Sequence, residues 1–348
     1  MFPTSHFSAR RLGLLVALVF SGHALAMGLM VEPAGDRCAA LQQNVATPTI
    51  VPPQAAKRLP DSQVARGQRN IAWAWLGSPT RRYPHPALGS AEHAGSLHVL
   101  LRQTGGSASP FASGSTQGTY TAAKSAVATP IVLTLPLNRV YEDRLPRLVD
   151  LDGDGTDEIL LIESDLLKGS ALVVLGIRSV RVGGSEKQTL VELARGPFTG
   201  STFRWLNPVG VADFDGDGRL DIASVTTPHI GGVLNLYHYR PQEPAGPTNR
   251  PGQLVAFANV MDVSNHKMGE LEQEVAAIVT LPGQRPAIVV PDMTLTALHA
   301  FRWEAPGQWK ELADLKPLPA RIERLVATAQ GACARLADQT WHHITLSR

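Results

Sequence analysis

The chain has 348 residues, 44% of them hydrophobic and 18% charged, with 32 Lys and Arg against 30 Asp and Glu. That apolar share is ordinary for a globular protein and supplies core for one large domain or two small ones. The near balance of charge excludes the basic footprint of a nucleic-acid binder and offers no patch for an anionic membrane surface.

Residues 1–26 read as a signal peptide. Arg10 and Arg11 precede the apolar run Leu12 to Phe20, and Ala24-Leu25-Ala26 is a small-x-small cleavage site. The run is too short for a permanent membrane anchor. Cleavage removes two basic residues and no acids, leaving 30 of each sign. The mature chain is expected to begin at Met27, to carry no integral membrane span, and to work in the periplasm or outside the cell. Residues 27–68 are expected to lead into a single domain at 69–348. The two cysteines, Cys38 and Cys333, have each other as the simplest partners in an oxidising compartment.

Helix-period segments are scarce: "AALQQ" after Cys38 and "GELEQEV" at Gly269 to Val275. The rest reads as short apolar or alternating runs between turn residues. In chain order these are "NIAWAWL", "SLHVLL", "PIVLTLP", "EILLIES", "ALVVLGI", "TLVELA", "DIASV", "VLNLYHY", "QLVAFA", "AAIVTL", "PAIVVP" and "TALHAFRW". Many short strands with turn signals predict an all-β architecture. Gln103 to Tyr120 and Pro241 to Gly252 read as loops.

Two of these strands follow matching acidic stretches, "VDLDGDGTDEIL" and "VADFDGDGRLDIASV". Aligning Asp213 on Asp150, 63 residues apart, places Asp215 on Asp152, Asp217 on Asp154 and Asp221 on Glu158. Similar turn-then-strand patterns without the acids fall near residues 87, 279 and 330. About five units of roughly 60 residues, each with four strand-like runs, predict a β-propeller of five to seven blades, because radial packing buries both faces of each small sheet. Ring closure would bring the chain ends, and so Cys38 and Cys333, together.

Four carboxylates this close repel unless a cation sits among them. Acids at loop positions 1, 3, 5 and 9 and the carbonyl of position 7 wrap oxygens around one hard cation, and six to eight such oxygens suit Ca²⁺. The first loop offers Asp150, Asp152, Asp154, the Thr156 carbonyl and Glu158. The second offers Asp213, Asp215, Asp217, the Arg219 carbonyl and Asp221. Neither loop holds His or Cys for zinc or copper. Loop position 12 is Leu161 or Ser224, which excludes an EF-hand.

The loop-then-strand unit at this period resembles the FG-GAP/VCBS repeat of integrin α-subunit-like β-propellers, and the context is similar to exported bacterial repeat proteins of that type. "RWLNPVGVADFDGDGRLDIA", "TPHIGG" and "SNHKMG" carry the resemblance. It covers about Ile71 to Leu346. It implies calcium in both loops, with Glu158 replacing the usual Asp.

His85, His93, Trp205, Asn207, His229, Asn265 and His266 fall in segments expected to form loops. They could meet at a central mouth, where a His pair and an acid would support acid–base chemistry, or they could be turn and blade-packing residues. The six tryptophans are spread along the chain, as packing residues would be. No G-x-S-x-G, H-E-x-x-H or P-loop motif occurs. The expected function is a non-catalytic, monomeric calcium-binding module for a protein or glycan ligand. The alternative is a hydrolase or lyase acting on carbohydrate or ester at the mouth.

Overall fold

The computed structural model describes residues 29–39, 41, 64–85, 89–102, 129–241, 252–305, 308–312, 315–329 and 331–346. The expected signal peptide, the loop from Gln103 to Tyr120 and most of Pro241 to Gly252 lie outside them, as does the side chain of His85.

The chain is all-β. It opens with β1 (Leu29–Pro33) and a 3-10 turn at Gly35–Cys38. Ala39 and Leu41, the described part of "AALQQ", are helical. Five runs of antiparallel strands follow in chain order; hydrogen bonding joins the first three into one thirteen-stranded sheet, with the second and third meeting in parallel at Ala194↔Gly252, and the last two form sheets of five and four strands. The first is β2 (Val64–Arg66), β3 (Ile71–His85), β4 (Gly89–Leu101) and β5 (Ile131–Thr134). A short β6 (Arg139–Tyr141) pairs with β4 at Ala94↔Tyr141 and with the second unit at Arg139↔Asp165. The second unit is β7 (Arg147–Val149), β8 (Glu158–Asp165), β9 (Gly169–Val182) and β10 (Ser185–Arg195). The third is β11 (Leu206–Ala212), β12 (Asp221–Thr226), β13 (Val233–Arg240) and β14 (Gly252–Met261). The fourth is β15 (Ala277–Val279), β16 (Ala287–Pro291), β17 (Ala297–Ala305) and β18 (Gln308–Glu311), with β19 (Lys316–Pro317) also on β17. The fifth has only β20 (Ile322–Thr328), β21 (Gly331–Leu336) and β22 (Trp341–Leu346) from its own stretch of chain. Its fourth strand is β1, paired with β22 from Leu29↔Leu346 to Pro33↔His342.

Both faces of the central strands are buried, which explains their unbroken apolar runs. Strand alternation sends neighbouring residues to opposite sides. On β8, Ile159 and Leu161 join a core cluster with the first unit, while Leu160 and Ile162 join one with the third. On β12, Ile222 packs toward the second unit, and Ala223 and Val225 toward the fourth. On β16, Ile288 and Val290 face the third unit, and Ala287 and Val289 the fifth. Each fully buried Leu or Ile contributes about 1.5–3 kcal/mol, so the second, third and fourth units are each held by both neighbours in the chain. Trp75, Trp205 and Trp303 are buried within this packing. Among the described residues no helix is long and apolar enough to cross a membrane.

The two cysteines form a disulfide, with Cα atoms 5.9 Å apart. Cys38 precedes the first unit in the chain and packs on the last sheet. It follows β1, and the bond ties that segment to β21 of the last sheet. Two expectations are corrected. "GELEQEV" forms no helix, because Val275 bridges Leu325 and the Leu325 N–H donates to the Glu274 carbonyl. The first unit's acid-free counterpart of the acidic loops is not near residue 87. The position near 87 falls between β3 and β4, whereas the turn joining first and second strands is Gly67 to Asn70.

Candidate metal centre

The two acidic stretches connect the first and second strands of neighbouring units, β7 to β8 and β11 to β12. They share four backbone-to-carboxylate hydrogen bonds, and the second loop adds a fifth, from Gly216 N to Asp213 Oδ1 at 2.7 Å. Gly155 N donates to Asp150 Oδ2 at 3.2 Å, as Gly218 N does to Asp213 Oδ2 at 3.0 Å. Asp154 N donates to Asp152 Oδ1, and Asp217 N to Asp215 Oδ1. Thr156 N donates to Asp154 Oδ1, and Arg219 N to Asp217 Oδ1. Leu151 N donates to Glu158 Oε2 at 2.8 Å, and Phe214 N to Asp221 Oδ2 at 3.1 Å. Each aspartate thus satisfies the backbone of a tight turn while its free oxygens converge. The turn needs left-handed backbone twice per loop: Gly153 and Gly216 at φ 76°, Gly155 and Gly218 at φ 85°.

Among the described residues, three groups of donor atoms come within 4.8 Å of one another: Asp150, Asp152 and Glu158; Asp213, Asp215 and Asp217; and Asp215, Asp221 and His238. Asp154 lies outside the first group, its Oδ1 also held by the Thr156 hydroxyl at 2.6 Å. Thr156 and Arg219 occupy the turns between the carboxylates.

Two carboxylate oxygens of the first loop are left over from this bonding. Asp150 Oδ1 and Glu158 Oε1 are buried and have no hydrogen-bond partner. A buried unsatisfied polar atom costs about 1–3 kcal/mol. Burial, aided by Asp152, Asp154 and Asp150, pushes the Glu158 carboxyl up to about 7. Burial also raises Asp221, to about 6, with Asp215 adding to the rise and the hydrogen bond from His238 opposing it. The donors are hard oxygens, two of them unpartnered, and this chemistry fits a hard divalent cation such as calcium.

Several residues at this centre escape a motif reading. Arg69, from the turn between β2 and β3, reaches across the unit boundary to Asp150 Oδ2 at 3.3 Å and Asp157 Oδ1 at 2.7 Å. Arg285 crowds the second loop from the fourth unit, its Nε 2.9 Å from where a Cβ on Gly216 would stand. His238 lies directly across the strand pair from Asp221, its Nδ1 3.0 Å from Asp221 Oδ1. Its position in an alternating strand after the loop was the available signal. A cavity of about 370 Å³ separates the loops, lined by Asp150, Asp152, Asp217, Asp221, His238 and Tyr239 among others.

The loop residues away from the acidic stretches meet only in part. His229 Nε2 lies 2.8 Å from His266 Nδ1, and both rings pack on Trp205. Asn207 and Asn265 clasp each other, each donating to the other's carbonyl at 3.1 and 3.0 Å. Burial depresses His229 to about 4 and His266 to about 3, so both imidazoles are neutral at pH 7. His93 sits apart in sequence and unit, buried on β4, and burial lowers it to about 4.

No protein-family model matches the chain, and a comparison with curated proteins found no match.

Proposed function

We propose that this is an exported, calcium-stabilised β-propeller of the FG-GAP/VCBS type, with five four-stranded blades, that acts as a non-catalytic binding module for a protein or glycan ligand. The observation that carries the calcium assignment is the orphaned pair of buried oxygens, Asp150 Oδ1 and Glu158 Oε1, in a loop whose hydrogen bonding recurs around Asp213. Calcium at Asp150, Asp152, Asp154, the Thr156 carbonyl and Glu158 would supply the missing partner. A second ion would take Asp213, Asp215, Asp217, the Arg219 carbonyl and Asp221.

Three features support the ring. The units pack face to face in chain order. The first strand of the chain completes the last sheet. The disulfide holds it there. The disulfide also supports an oxidising compartment, hence the periplasm or the exterior.

The binding reading is favoured over a hydrolase or lyase by the state of the histidines. His229 and His266 are spent on each other and on Trp205, held neutral by burial. The test is calcium titration of chelator-treated mature protein by calorimetry, followed by a protein and glycan binding screen with and without calcium. Absence of calcium binding, or turnover of a carbohydrate or ester abolished by His266→Gln, would overturn the reading.

A further inference from the structure

The acidic loops lie at one end of the strands, and a different chemistry lies at the other. β8 leaves the first acidic loop at Glu158 and ends at Asp165, eight residues in all. At about 3.3 Å per residue it carries the chain roughly 25 Å away. There the β8–β9 turn at 166–168 meets the β5–β6 turn at 135–138 and the connection at 196–205. Leu166 N donates to the Asn138 carbonyl at 2.9 Å, and Gly200 N to the Lys168 carbonyl at 2.8 Å. The Thr202 hydroxyl donates to the Leu166 carbonyl at 2.6 Å. Three segments distant in sequence thus form one continuous plateau.

Large apolar side chains stand on it. Leu137 is 90% exposed, Leu167 78%, Phe203 57% and Leu166 42%. Several such side chains gathered on one surface mark an interaction site. Phe203 is held at φ 65°, a left-handed conformation that bulky residues rarely adopt, so backbone strain accompanies a ring half in water. The charges beside these residues are positive. Residues 135–139, 165–169 and 196–204 contain Arg139, Lys168 and Arg204 against the single acid Asp165. Asp165 is buried and taken up by Arg139 at 3.1 Å, by Asn138 at 2.9 Å and by the N–H groups of Leu167 and Lys168. Among the described residues neither Lys168 nor Arg204 pairs with an acid, and Lys168 has its Nζ 5.6 Å from the Phe198 ring. The near neutrality of the whole chain conceals this local excess, because the acidic loops sit at the opposite end of the strands.

We propose that Leu137, Leu166, Leu167 and Phe203, flanked by Lys168 and Arg204, form a docking face for an anionic phospholipid surface. The apolar tips enter the boundary between headgroups and acyl chains, and the two cations meet headgroup phosphates. Two observations favour lipid over a protein partner. Side chains 90% and 78% exposed stand out from the surface rather than line a groove, and a fluid interface accepts them without a complementary shape. Three of the four are leucines, which are under-represented among the anchors of protein interfaces, where Trp, Tyr and Arg dominate. Apolar side chains beside Lys and Arg are instead the composition of interfacial membrane binders. The face stands apart from the acidic loops, so it holds whether or not those loops bind calcium.

Co-sedimentation of the full mature chain with vesicles is the test. Vesicles of phosphatidylcholine alone, and of an equal mixture with phosphatidylglycerol, would be used in chelator and in calcium. We expect binding to the anionic vesicles in chelator, weakened by salt and weaker still on phosphatidylcholine alone. Leu137→Ser/Leu167→Ser should lower the partition coefficient at least about tenfold. Lys168→Gln/Arg204→Gln should lower it roughly fivefold per cation removed. None of the four belongs to a core cluster, so melting temperatures should stay at wild type. Wild type that stays in the supernatant with anionic vesicles overturns the proposal, as does equal binding by wild type and both variants. Binding that appears only in calcium and ignores both variants gives the lipid contact to the acidic loops and overturns it too. A dimer in sedimentation velocity that dissociates in Leu137→Ser/Leu167→Ser, without vesicle binding, gives the face to a second copy instead.

Discussion

Removing the disulfide should cost several kcal/mol, and the cost can be worked from its place in the chain. Cys38 and Cys333 are 295 residues apart. In the chain-entropy treatment a 100-residue loop contributes about 4.7 kcal/mol, and tripling the loop adds (3/2)RT ln 3, about 1 kcal/mol. The upper figure is thus roughly 5–6 kcal/mol, a large share of the 5–15 kcal/mol typical of a folded protein. Cys38 and Cys333 are both buried against Ala34, Leu41 and Trp341, so serine would add a desolvation cost, and alanine is the cleaner replacement. Urea unfolding of Cys38→Ala/Cys333→Ala should show a lower midpoint. It should also show a steeper denaturant slope, because an uncrosslinked unfolded chain exposes more surface. A variant within about 0.5 kcal/mol of wild type, at equal slope, would refute the entropic latch.

Calcium at about a hundredfold excess over its dissociation constant should stabilise by about 2.7 kcal/mol per occupied loop. Asp215→Ala, which strikes both donor groups of the second loop, should remove that loop's share; a chelator without effect on the melting temperature of calcium-loaded protein would sink the assignment. Acid should destabilise through His266, whose folded-state pKa of about 3 lies below the unfolded value of 6.5. The unfolded chain then takes up the proton first, so this stability is complete above pH 6.5 and is lost as pH falls, by roughly 2–3 kcal/mol at pH 4.5. Urea midpoints from pH 7 to 4.5 should fall less in His266→Gln than in wild type. Gly218→Ala should cost about 1–2 kcal/mol by backbone strain alone, since its φ is 85° and nothing lies within 4 Å of the added Cβ; an unchanged thermal midpoint would contradict that.

Much of the strand pattern was legible because its cause is local. The centre of "EILLIES", Ile159 to Ile162, is apolar at every position, and β8 is buried along its whole length. The acidic loops were legible because glycines at left-handed turns and alternating aspartates have few other uses. What failed to show was whatever depends on distant partners. Glu272 and Glu274 sit in a segment with helical periodicity, but both meet Arg324, on β20, and the pairing with that strand overrides the local preference. The turn at Gly67 to Asn70 has no acids. Its Gly67 is needed because a Cβ would lie 2.2 Å from the Ile71 carbonyl oxygen, a clash invisible without the fold. His238 comes beside the carboxylates of the second loop only through cross-strand register, which a spacing rule within one loop does not contain.

The completion of the last sheet by the first strand sets the order in which the molecule can finish. A chain that emerges N-terminus first must keep Leu29–Pro33 unpaired until Trp341–Leu346 has been made. Until β1 docks, β22 presents a bare edge, and any free copy of β1 fits it, including one from a neighbouring molecule. Strand exchange between copies is therefore the characteristic misassembly of this topology. The bond between Cys38 and Cys333 settles the matter chemically. Formed within one chain it seals a monomer. Formed between two chains it would trap a swapped pair that reducing agent alone could release.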